Sequence, residues 1–396
     1  MPSAPLQSGL IEGGQGPDHP LREVAGFFLR LGFTAFGGPA AHLAMMEQEA
    51  VHRRGWLDRD AFLDLLGATS LIPGPGPTQM AMSLGYRRAG WAGLALGGIC
   101  FVAPAALLTL GLAWAYVRYG RLPQAQGFLY GVKPVVLAIV VQALWNLGRT
   151  AWRRRPLAAL GGLALVLACL GLAPLAVLLG AGLAAYGLDW LRRRPGWTGS
   201  LALWLPLLPQ LPRMPGAAGG TSAGLPRLFL AFLKLGAVVF GSGYVLLAFL
   251  QADLVDRAHW LTRAQLLDAV AVGQVTPGPV FTTATFIGYL LGGFPGALAA
   301  TVGIFLPSFL FVGVLAVLLP RLRRGALGPF LDGINAGAVA LLLPVTWTLG
   351  RAALGDARAV LLGLASAVLL LRFRVNAAWL VLAGGVAGLL LHAGVG

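Results

Sequence analysis

The sequence contains one unit twice, and this internal repeat constrains the fold more than any single motif. The segment FFLRLGFTAFGGP (27–39) aligns with AFLKLGAVVFGSG (231–243) at an offset of 204 residues, and the same register places PGP at 73–75 on PGP at 277–279. The offset is then 203, and it is 202 at Trp145 and Trp347. We predict a polar N-terminal tail (1–21), a first repeat (22–196), a linker rich in proline and glycine (197–226) and a second repeat (227–396).

The composition indicates that both repeats lie in a lipid bilayer. Of 396 residues, 57% are hydrophobic and 11% are charged, and the mean hydropathy is +0.78, which excludes an ordinary soluble domain. Apolar runs that can cross about 30 Å of hydrocarbon lie at roughly 91–117, 127–148, 297–319 and 329–350, and closely coupled apolar pairs lie at about 157–190 and 359–392. The predicted fold is an all-α polytopic membrane protein. Each of its two homologous repeats has about five spans and a broken, re-entrant PGP hairpin.

Charge and cysteine content argue against other classes. The formal net charge is +15, but short arginine groups such as 87–88, 153–155 and 192–194 flank the apolar runs, as the positive-inside rule expects. We therefore predict a lipid bilayer as the partner and no nucleic acid. Cys100 and Cys169 are isolated, so no metal site is expected, and we predict no cofactor. The polar N-terminus lacks the pattern of a cleavable signal peptide.

The loop charges predict that the two repeats have inverted topology. In the first repeat the hairpin tip LGLAP (170–174) is uncharged, whereas the equivalent tip LRFRVN of the second carries Arg372 and Arg374. Conversely, Arg87 and Arg88 have the uncharged segment LLGGFPG (290–296) as their counterpart. Because cytoplasmic loops carry the excess of arginine, the copies face opposite ways. A few loop arginines lie on the other side, so a parallel arrangement stays open as the alternative.

The stretch LIPGPGPTQM (71–80) has to leave the helical conformation. Proline removes an N–H donor and clashes with the preceding turn, and it disfavours helix at the residue before it. A helix can restart near Thr78, where the free N–H groups of Thr78, Gln79 and Met80 suit an oxyanion. The second copy, TPGPVFTT (276–283), adds the hydroxyls of Thr276, Thr282 and Thr283. The predicted helix-breaking residues are Pro73, Pro75, Pro77, Pro277 and Pro279.

Glycine pairs follow the first helix of each repeat, in FGGP (36–39) and FGSG (240–243). Consecutive glycines can form a nest of N–H groups for an anion. If a first span starts near Leu21, Arg30 lies about 13 Å along it at about 1.5 Å per residue, and a cation at that depth costs at least about 2.5–3.5 kcal/mol; Lys234 is its counterpart. Glycines that only permit close helix packing and cations that snorkel to the interface are the alternatives.

Three acidic residues are candidates for proton coupling: Glu47, Asp64 and Asp268. Of these, Asp64 and Asp268 are equivalent in the two repeats and lie next to the broken segments. The alternative for Asp64 and Asp268 is helix capping. For the acidic residues near Glu47 the alternative is an ion-pair network, formed by Glu47, Glu49, Asp253 and Asp256 with Arg53, Arg54 and Arg257. His42 is either a coupling group or a satisfied polar residue.

Four segments carry a family resemblance. FGGPAAHLAMMEQEAVHRRGWL, IPGPGPTQMAMSLGYRRAGWAGL, FGSGYVLLAFLQADLV and TPGPVFTTATFIGY resemble the chromate ion transporter family in its form with two homologous halves. The resemblance implies a multi-pass protein of the bacterial inner membrane that exports chromate, driven by protons or by exchange with sulfate. It also implies that the FGGP, FGSG and PGP segments line the transport path. Gly76–Pro77, which extends PGP in the first copy, departs from the pattern and leaves the helix restart there open.

We therefore expect a secondary transporter of tetrahedral oxyanions and not an enzyme. Paired broken helices in an inverted repeat predict a binding site near the midplane, and no P-loop motif indicates ATP binding. A sulfate permease and a membrane-embedded lipid-phosphate enzyme are the alternatives, and a homodimer is one option for the oligomeric state. The predicted substrate-binding residues are Arg30, Gly37, Gly38, His42, Gly74, Thr78, Gln79, Lys234, Gly241, Ser242, Gly243, Gly278, Thr282 and Thr283.

Overall fold

The computed structural model describes residues 19–36, 38–120, 122–192, 224–240, 243–318, 328–373 and 375–393. These residues form helices and no strand, which confirms the predicted all-α fold class. The helices of the first repeat are α1 (Pro20–Thr34), α2 (Pro39–Glu47), α3 (Arg59–Thr69), α4 (Gly76–Tyr119), α5 (Pro123–Ala151), α6 (Arg155–Cys169) and α7 (Pro174–Arg192). Those of the second repeat are α8 (Leu225–Val238), α9 (Val245–Leu250), α10 (Arg263–Val275), α11 (Thr283–Leu318), α12 (Gly328–Ala353), α13 (Ala357–Phe373) and α14 (Ala377–Ala393).

Local sequence signals explain where these helices begin. Proline occupies the first turn of α1, α2, α4, α5 and α6, where its missing N–H costs nothing. Asp58 caps α3 by accepting a hydrogen bond from the N–H of Ala61, and Thr262 with Gln265 forms a capping box at α10. Short π-helical turns, Gln48–Arg53 and Gln251–Arg257, extend α2 and α9 at equivalent positions of the two repeats.

Both α4 and α11 fold back on themselves. The backbone leaves helical geometry at Ala89–Gly90 and at Gly292–Gly293, with φ of +61° at Gly90 and +59° at Gly293. A methyl group on Gly85 or on Gly288 would overlap the backbone eight residues further along the chain. In a continuous helix those residues lie about 12 Å apart, so each helix is an antiparallel hairpin. We call its arms α4a (76–88) and α4b (91–119), and α11a (283–291) and α11b (294–318).

In repeat one, α1 pairs with α2 and α3 pairs with α4a, and each pair begins and ends at the same end of the bundle. Glu23, near the start of α1, accepts hydrogen bonds from Arg54 after α2 and from Arg88 at the end of α4a. The chain therefore turns back once between α1 and α2 and again between α3 and α4a. A helix does begin near Leu21, but α1 has 15 residues, about 22 Å, which is shorter than a full span, and the chain then reverses. We call this end of the bundle the Glu23 end, and the other, where α4b finishes, the Tyr119 end.

The second repeat is inverted relative to the first. Going along α4b from Trp91 to Gly98, the residues met on α11b run backwards from Gly313 to Phe309. Asp268 of α10 contacts Tyr116 near the Tyr119 end, whereas α4a finishes at the Glu23 end. The PGP hairpins thus enter from opposite ends, which agrees with the inverted topology predicted from loop charges.

The remaining helices pack across the repeat boundary. The backbone of α5 meets that of α14 where Gly131 contacts Gly384, and α12 meets α7 where Gly333 contacts Ala181. These two contacts are equivalent under the repeat, so each copy supplies a helix to the other, and the small residues allow close approach. Five described helices are long and apolar enough to cross a membrane: Gly76–Tyr119, Pro123–Ala151, Pro174–Leu191, Val280–Leu318 and Gly328–Ala353.

Candidate oxyanion site

Each PGP loop is hydrogen-bonded to the opposite repeat. The N–H of Gly74 donates to the carbonyl of Val239, at the end of α8, over 2.7 Å, and the N–H of Gly278 donates to the carbonyl of Ala35, at the end of α1, over 2.9 Å. These two bonds are equivalent under the 204-residue offset. Both glycines have positive φ, +126° and +89°, which glycine adopts without steric cost.

The two loops lie near the middle of the bundle. Gly278 packs against Ala105, halfway along α4b, and Gly74 packs against Ser308, near the middle of α11b. The prediction that Gly74 and Gly278 bind an anion stays untested, but their N–H groups are used between the repeats. Their evident role is to hold each broken segment against the first helix of the other copy.

The helix after the first loop starts slightly earlier than expected. It begins at Gly76, with Pro77 in its first turn, so the extra Gly76–Pro77 of the first copy is helical. The N–H of Gln79 bonds the carbonyl of Pro75 over 3.0 Å, which corrects the expectation that this N–H is free. The first N–H groups of a helix have no partner within it, and Gly76 and Thr78 supply them here because Pro77 has none.

Unpaired polar side chains surround this helix start. Thr78, Gln79 and Ser308 are each 0% exposed. The hydroxyls of Thr78 and Ser308 and the Oε1 of Gln79 have no hydrogen-bond partner in the described residues, while the Nε2 of Gln79 donates to the carbonyl of Pro73. A buried polar atom without a partner costs about 1–3 kcal/mol, so these groups indicate a place where a polar ligand or water belongs.

A cavity of about 240 Å³ adjoins Gln79 and the helix start at Gly76 and Pro77. At about 30 Å³ per molecule it has room for roughly eight waters, and hence for a small hydrated anion. Its polar lining comes from Thr69, Ser70, Gln79 and Asn335, with the backbone of Gly74 and Gly76, and Phe240 of the second repeat closes one side. No side chain among the described residues that line it is charged.

The second PGP loop carries a compact group of hydroxyls instead. The Oγ1 of Thr109 on α4b lies 3.5 Å from that of Thr276 and 3.4 Å from that of Thr282. Thr282 was predicted as a binding residue, and the predicted Thr283 bonds the carbonyl of Val280. Sequence reasoning missed Thr109, because a single threonine in an apolar span gives no signal of its own.

One charged cluster joins the two repeats at the Tyr119 end. Asp268, a predicted proton-coupling residue, is 3% exposed; the hydroxyl of Tyr116 donates to its Oδ2 over 2.8 Å, and the Nζ of Lys133 lies 3.4 Å from its Oδ1. Neither Tyr116 nor Lys133 was predicted for the site. The available signal for Lys133 was the repeat itself, because the offset of 202 aligns Lys133 with another polar residue, Asn335 of α12.

The other predicted charged residues lie outside this cluster. Arg30 is exposed on α1, and Lys234 pairs with Asp253 over 2.7 Å, with its side chain 45% exposed. Glu47 pairs with Arg59 over 3.3 Å, and Asp64 lies half-buried on α3. The predicted ion-pair network is confirmed where Glu49 bonds Arg53 and Arg54, and where Asp253 bonds Arg257.

The first glycine segment is only partly described. Gly38, with φ of +81°, precedes α2, and the Nε2 of the buried His42 lies 3.0 Å from the carbonyl of Ala35. Gly243 packs near Val280 and Phe281 of the second loop. The predicted residues Gly37, Gly241 and Ser242 lie outside the described residues.

Among the described residues, no three His, Cys, Asp or Glu side chains converge as metal ligands would.

Comparisons with known proteins agree with this architecture. The chain is 34% identical over 376 residues to the "Chromate transport protein" of Cupriavidus metallidurans, covering 93% of this chain and 92% of that one. It is 33% identical to the "Probable chromate transport protein" of Synechococcus elongatus (88% and 89% covered) and 31% identical to the "Chromate transport protein" of Pseudomonas aeruginosa (92% and 91%). No solved structure matches.

The family comparison follows the repeat. The family model described as "Chromate transporter" matches twice, at residues 22–186 and 226–389. Together with the long apolar helices, these matches indicate a multi-pass membrane protein. The chain therefore belongs to the chromate transporter family, as the resemblance of its PGP and glycine segments predicted.

Proposed function

We propose that this protein is a secondary transporter of tetrahedral oxyanions in the bacterial inner membrane and that it exports chromate. The names of its relatives support chromate as the substrate. The observation that carries the proposal is the reciprocal bonding of the two PGP loops, from Gly74 to Val239 and from Gly278 to Ala35, at the middle of an inverted repeat.

The first loop supplies the chemistry that an oxyanion needs. Its helix start presents N–H groups and the positive end of the helix dipole, and Thr78, Ser308 and the cavity residue Asn335 add neutral donors. Such donors can replace part of the water shell of the anion without adding a fixed charge. Sulfate has the same shape and charge as chromate, so a sulfate permease remains the nearest alternative.

The reciprocal bonds also suggest how access alternates. Since each PGP loop is tied to the first helix of the other repeat, a hairpin that moves takes its partner with it. The cavity adjoins the first loop, while the equivalent region at the second loop holds the threonine group and the Asp268 cluster. We infer that an exchange of these two arrangements carries the anion across, driven by protons or by sulfate moving the other way.

The test is chromate flux in proteoliposomes, with a proton gradient or sulfate imposed separately on the opposite side. Flux driven by either gradient is expected, and the effective gradient identifies the coupling ion. The site is tested by Thr78→Val, which keeps the shape and removes the buried hydroxyl, with Thr150→Val on the exposed surface of α5 as the matched control. Thr78→Val is expected to raise the KM for chromate several-fold.

Two outcomes would contradict different parts of the proposal. No flux under either gradient, from folded wild-type protein, would reject oxyanion transport and return attention to an enzyme acting on lipid phosphate. Flux with a wild-type KM in Thr78→Val would keep the function and move the binding site away from the first loop.

A further inference from the structure

Lys133 occupies the position in repeat one that Asn335 occupies in repeat two. The segment FLYGVK (128–133) aligns with FLDGIN (330–335) at the offset of 202. The structure preserves this equivalence, because Gly131 packs on Gly384 as Gly333 packs on Ala181. The two side chains thus belong to equivalent places beside the two PGP hairpins.

Asn335 shows what that place is for in one half of the molecule. It lines the cavity next to Gly74, Gly76 and Gln79, and the described lining of that cavity has no charged side chain. By the internal symmetry, the backbone of Lys133 has the position beside the second PGP hairpin that Asn335 has beside the first, and its side chain reaches Asp268 on α10. A dianion needs positive charge as well as neutral donors when it leaves water, and Lys133 is one of two lysines in the chain.

The contacts of Lys133 are those of a cation that can change partners. Its Nζ lies 3.4 Å from Asp268, longer than the 2.8 Å bond that Tyr116 donates to the same carboxylate. The Lys133 side chain is 25% exposed and that of Asp268 is 5% exposed. Tyr116 and Lys133 are the two titratable side chains that contact Asp268 in the described part of the chain. The carboxylate is therefore fixed by Tyr116, and the lysine is the more accessible and less tightly held member.

The hydroxyls of Thr109 and Thr276 lie along the two helices that carry Tyr116 and Asp268. Thr109 precedes Tyr116 by seven residues on α4b, and Thr276, which directly follows α10, comes eight residues after Asp268; each separation is about 10–12 Å. The ion pair and the three threonine hydroxyls at the second PGP loop are therefore two separate sets of polar groups along the same part of the bundle. In the sequence, the position of repeat two that is equivalent to Tyr116 is a leucine, at 318 or 319 depending on the offset.

We propose that Lys133 is the charged oxyanion ligand of the second half-site and that Asp268, held by Tyr116, is its counter-ion when no anion is bound. The anion competes with Asp268 for Lys133, so the charge of Lys133 is neutralised in both conditions. The two half-sites then differ in charge, one neutral at Asn335 and one cationic at Lys133. This inference rests on the proposed oxyanion transport and assigns its charged ligand.

The test measures binding of radiolabelled sulfate and of chromate to purified protein in nanodiscs. Lys133→Gln is expected to weaken binding about ten- to hundredfold, the loss typical of a charge-assisted hydrogen bond, and Lys133→Arg should keep most of the affinity. Arg358→Gln, which removes an exposed cation of α13, is the matched control and should leave binding unchanged. Asp268→Asn removes the competitor and should leave affinity equal to wild type or several-fold tighter.

The double variant Lys133→Gln with Asp268→Asn keeps the test valid if a single change leaves a buried charge and prevents folding. It should fold and bind as weakly as Lys133→Gln. Wild-type affinity in this folded double variant would overturn the inference and leave the ion pair as a purely structural contact. Absence of oxyanion binding and flux in the wild-type protein would instead reject the proposed function itself, so the two failures are distinguishable.

Discussion

Gly278→Ala should damage the centre of the molecule more than its size suggests. The residue has φ of +89°, and a side chain in that region costs about 1–2 kcal/mol. A methyl group there would also stand 2.7 Å from the Cβ of Ala105 and 3.4 Å from the carbonyl oxygen of Gly32. Overpacking of this kind costs about 1–3 kcal/mol.

The strained loop can relax only by moving away from α1 and α4b. That movement lengthens the 2.9 Å bond from Gly278 to Ala35, which contributes about 0.5–1.5 kcal/mol. If these three costs add, we expect a loss of about 2.5–6.5 kcal/mol in stability and a large fall in transport. Gly67→Ala is the matched control, because Gly67 is an exposed helical residue with open space around it.

The assay combines thermal unfolding of the purified protein with chromate flux in proteoliposomes. Gly278→Ala should unfold at a lower temperature than wild type and transport more slowly, while Gly67→Ala should transport like wild type and unfold at the same or a slightly higher temperature, because alanine favours a helix more than glycine does. Wild-type unfolding and flux in Gly278→Ala would refute the reasoning, since it would mean that the second PGP loop needs neither its backbone conformation nor its contact with the other repeat.

Three further predictions follow from the same contacts. Pro75→Ala should reduce chromate flux several-fold and leave membrane insertion intact, because it lets the broken segment become helical; wild-type flux would remove this argument. Glu23→Gln should lower stability by about 1–2 kcal/mol in thermal unfolding, because Glu23 joins Arg54 and Arg88, and an unchanged unfolding temperature would make this cluster a passive contact. Leu172→Cys and Phe373→Cys should react with an impermeant thiol reagent from opposite sides of the membrane, in a Cys100→Ala, Cys169→Ala background; labelling from one side would contradict the inverted topology.

The sequence was informative wherever the cause was local. Prolines at 73 and 75 required a helix break, and the break lies there, whereas Pro77, also expected to break the helix, lies in the first turn of α4. The pairs Gly85 with Gly288 and Gly90 with Gly293 aligned under the repeat, and they form equivalent hairpins. The reversal after α1 was not predicted, because an apolar helix followed by glycines reads equally well as a span with a packing motif.

The site depended on contacts that local pattern does not encode. Arg30 and Lys234 were predicted to bind the substrate because they are cations in apolar helices. In the structure, Arg30 is exposed and Lys234 pairs with Asp253. Lys133 and Thr109 looked unremarkable in their spans, and they meet partners from the other repeat. Contacts between residues far apart in the chain depend on how helices pack.

The sequence by itself determined that the protein lies in a membrane, where its helices and duplicated PGP breaks are, and to which family it belongs. The reason is that the length of the apolar runs, the geometry of proline and the internal alignment are properties of the chain. The tertiary structure alone decided that each PGP loop bonds the first helix of the other copy and that Lys133 faces Asp268. The physical reason is that a broken helix leaves backbone groups that must be satisfied inside the protein. Only the packing of the inverted repeats brings the matching carbonyls, at Ala35 and Val239, within reach.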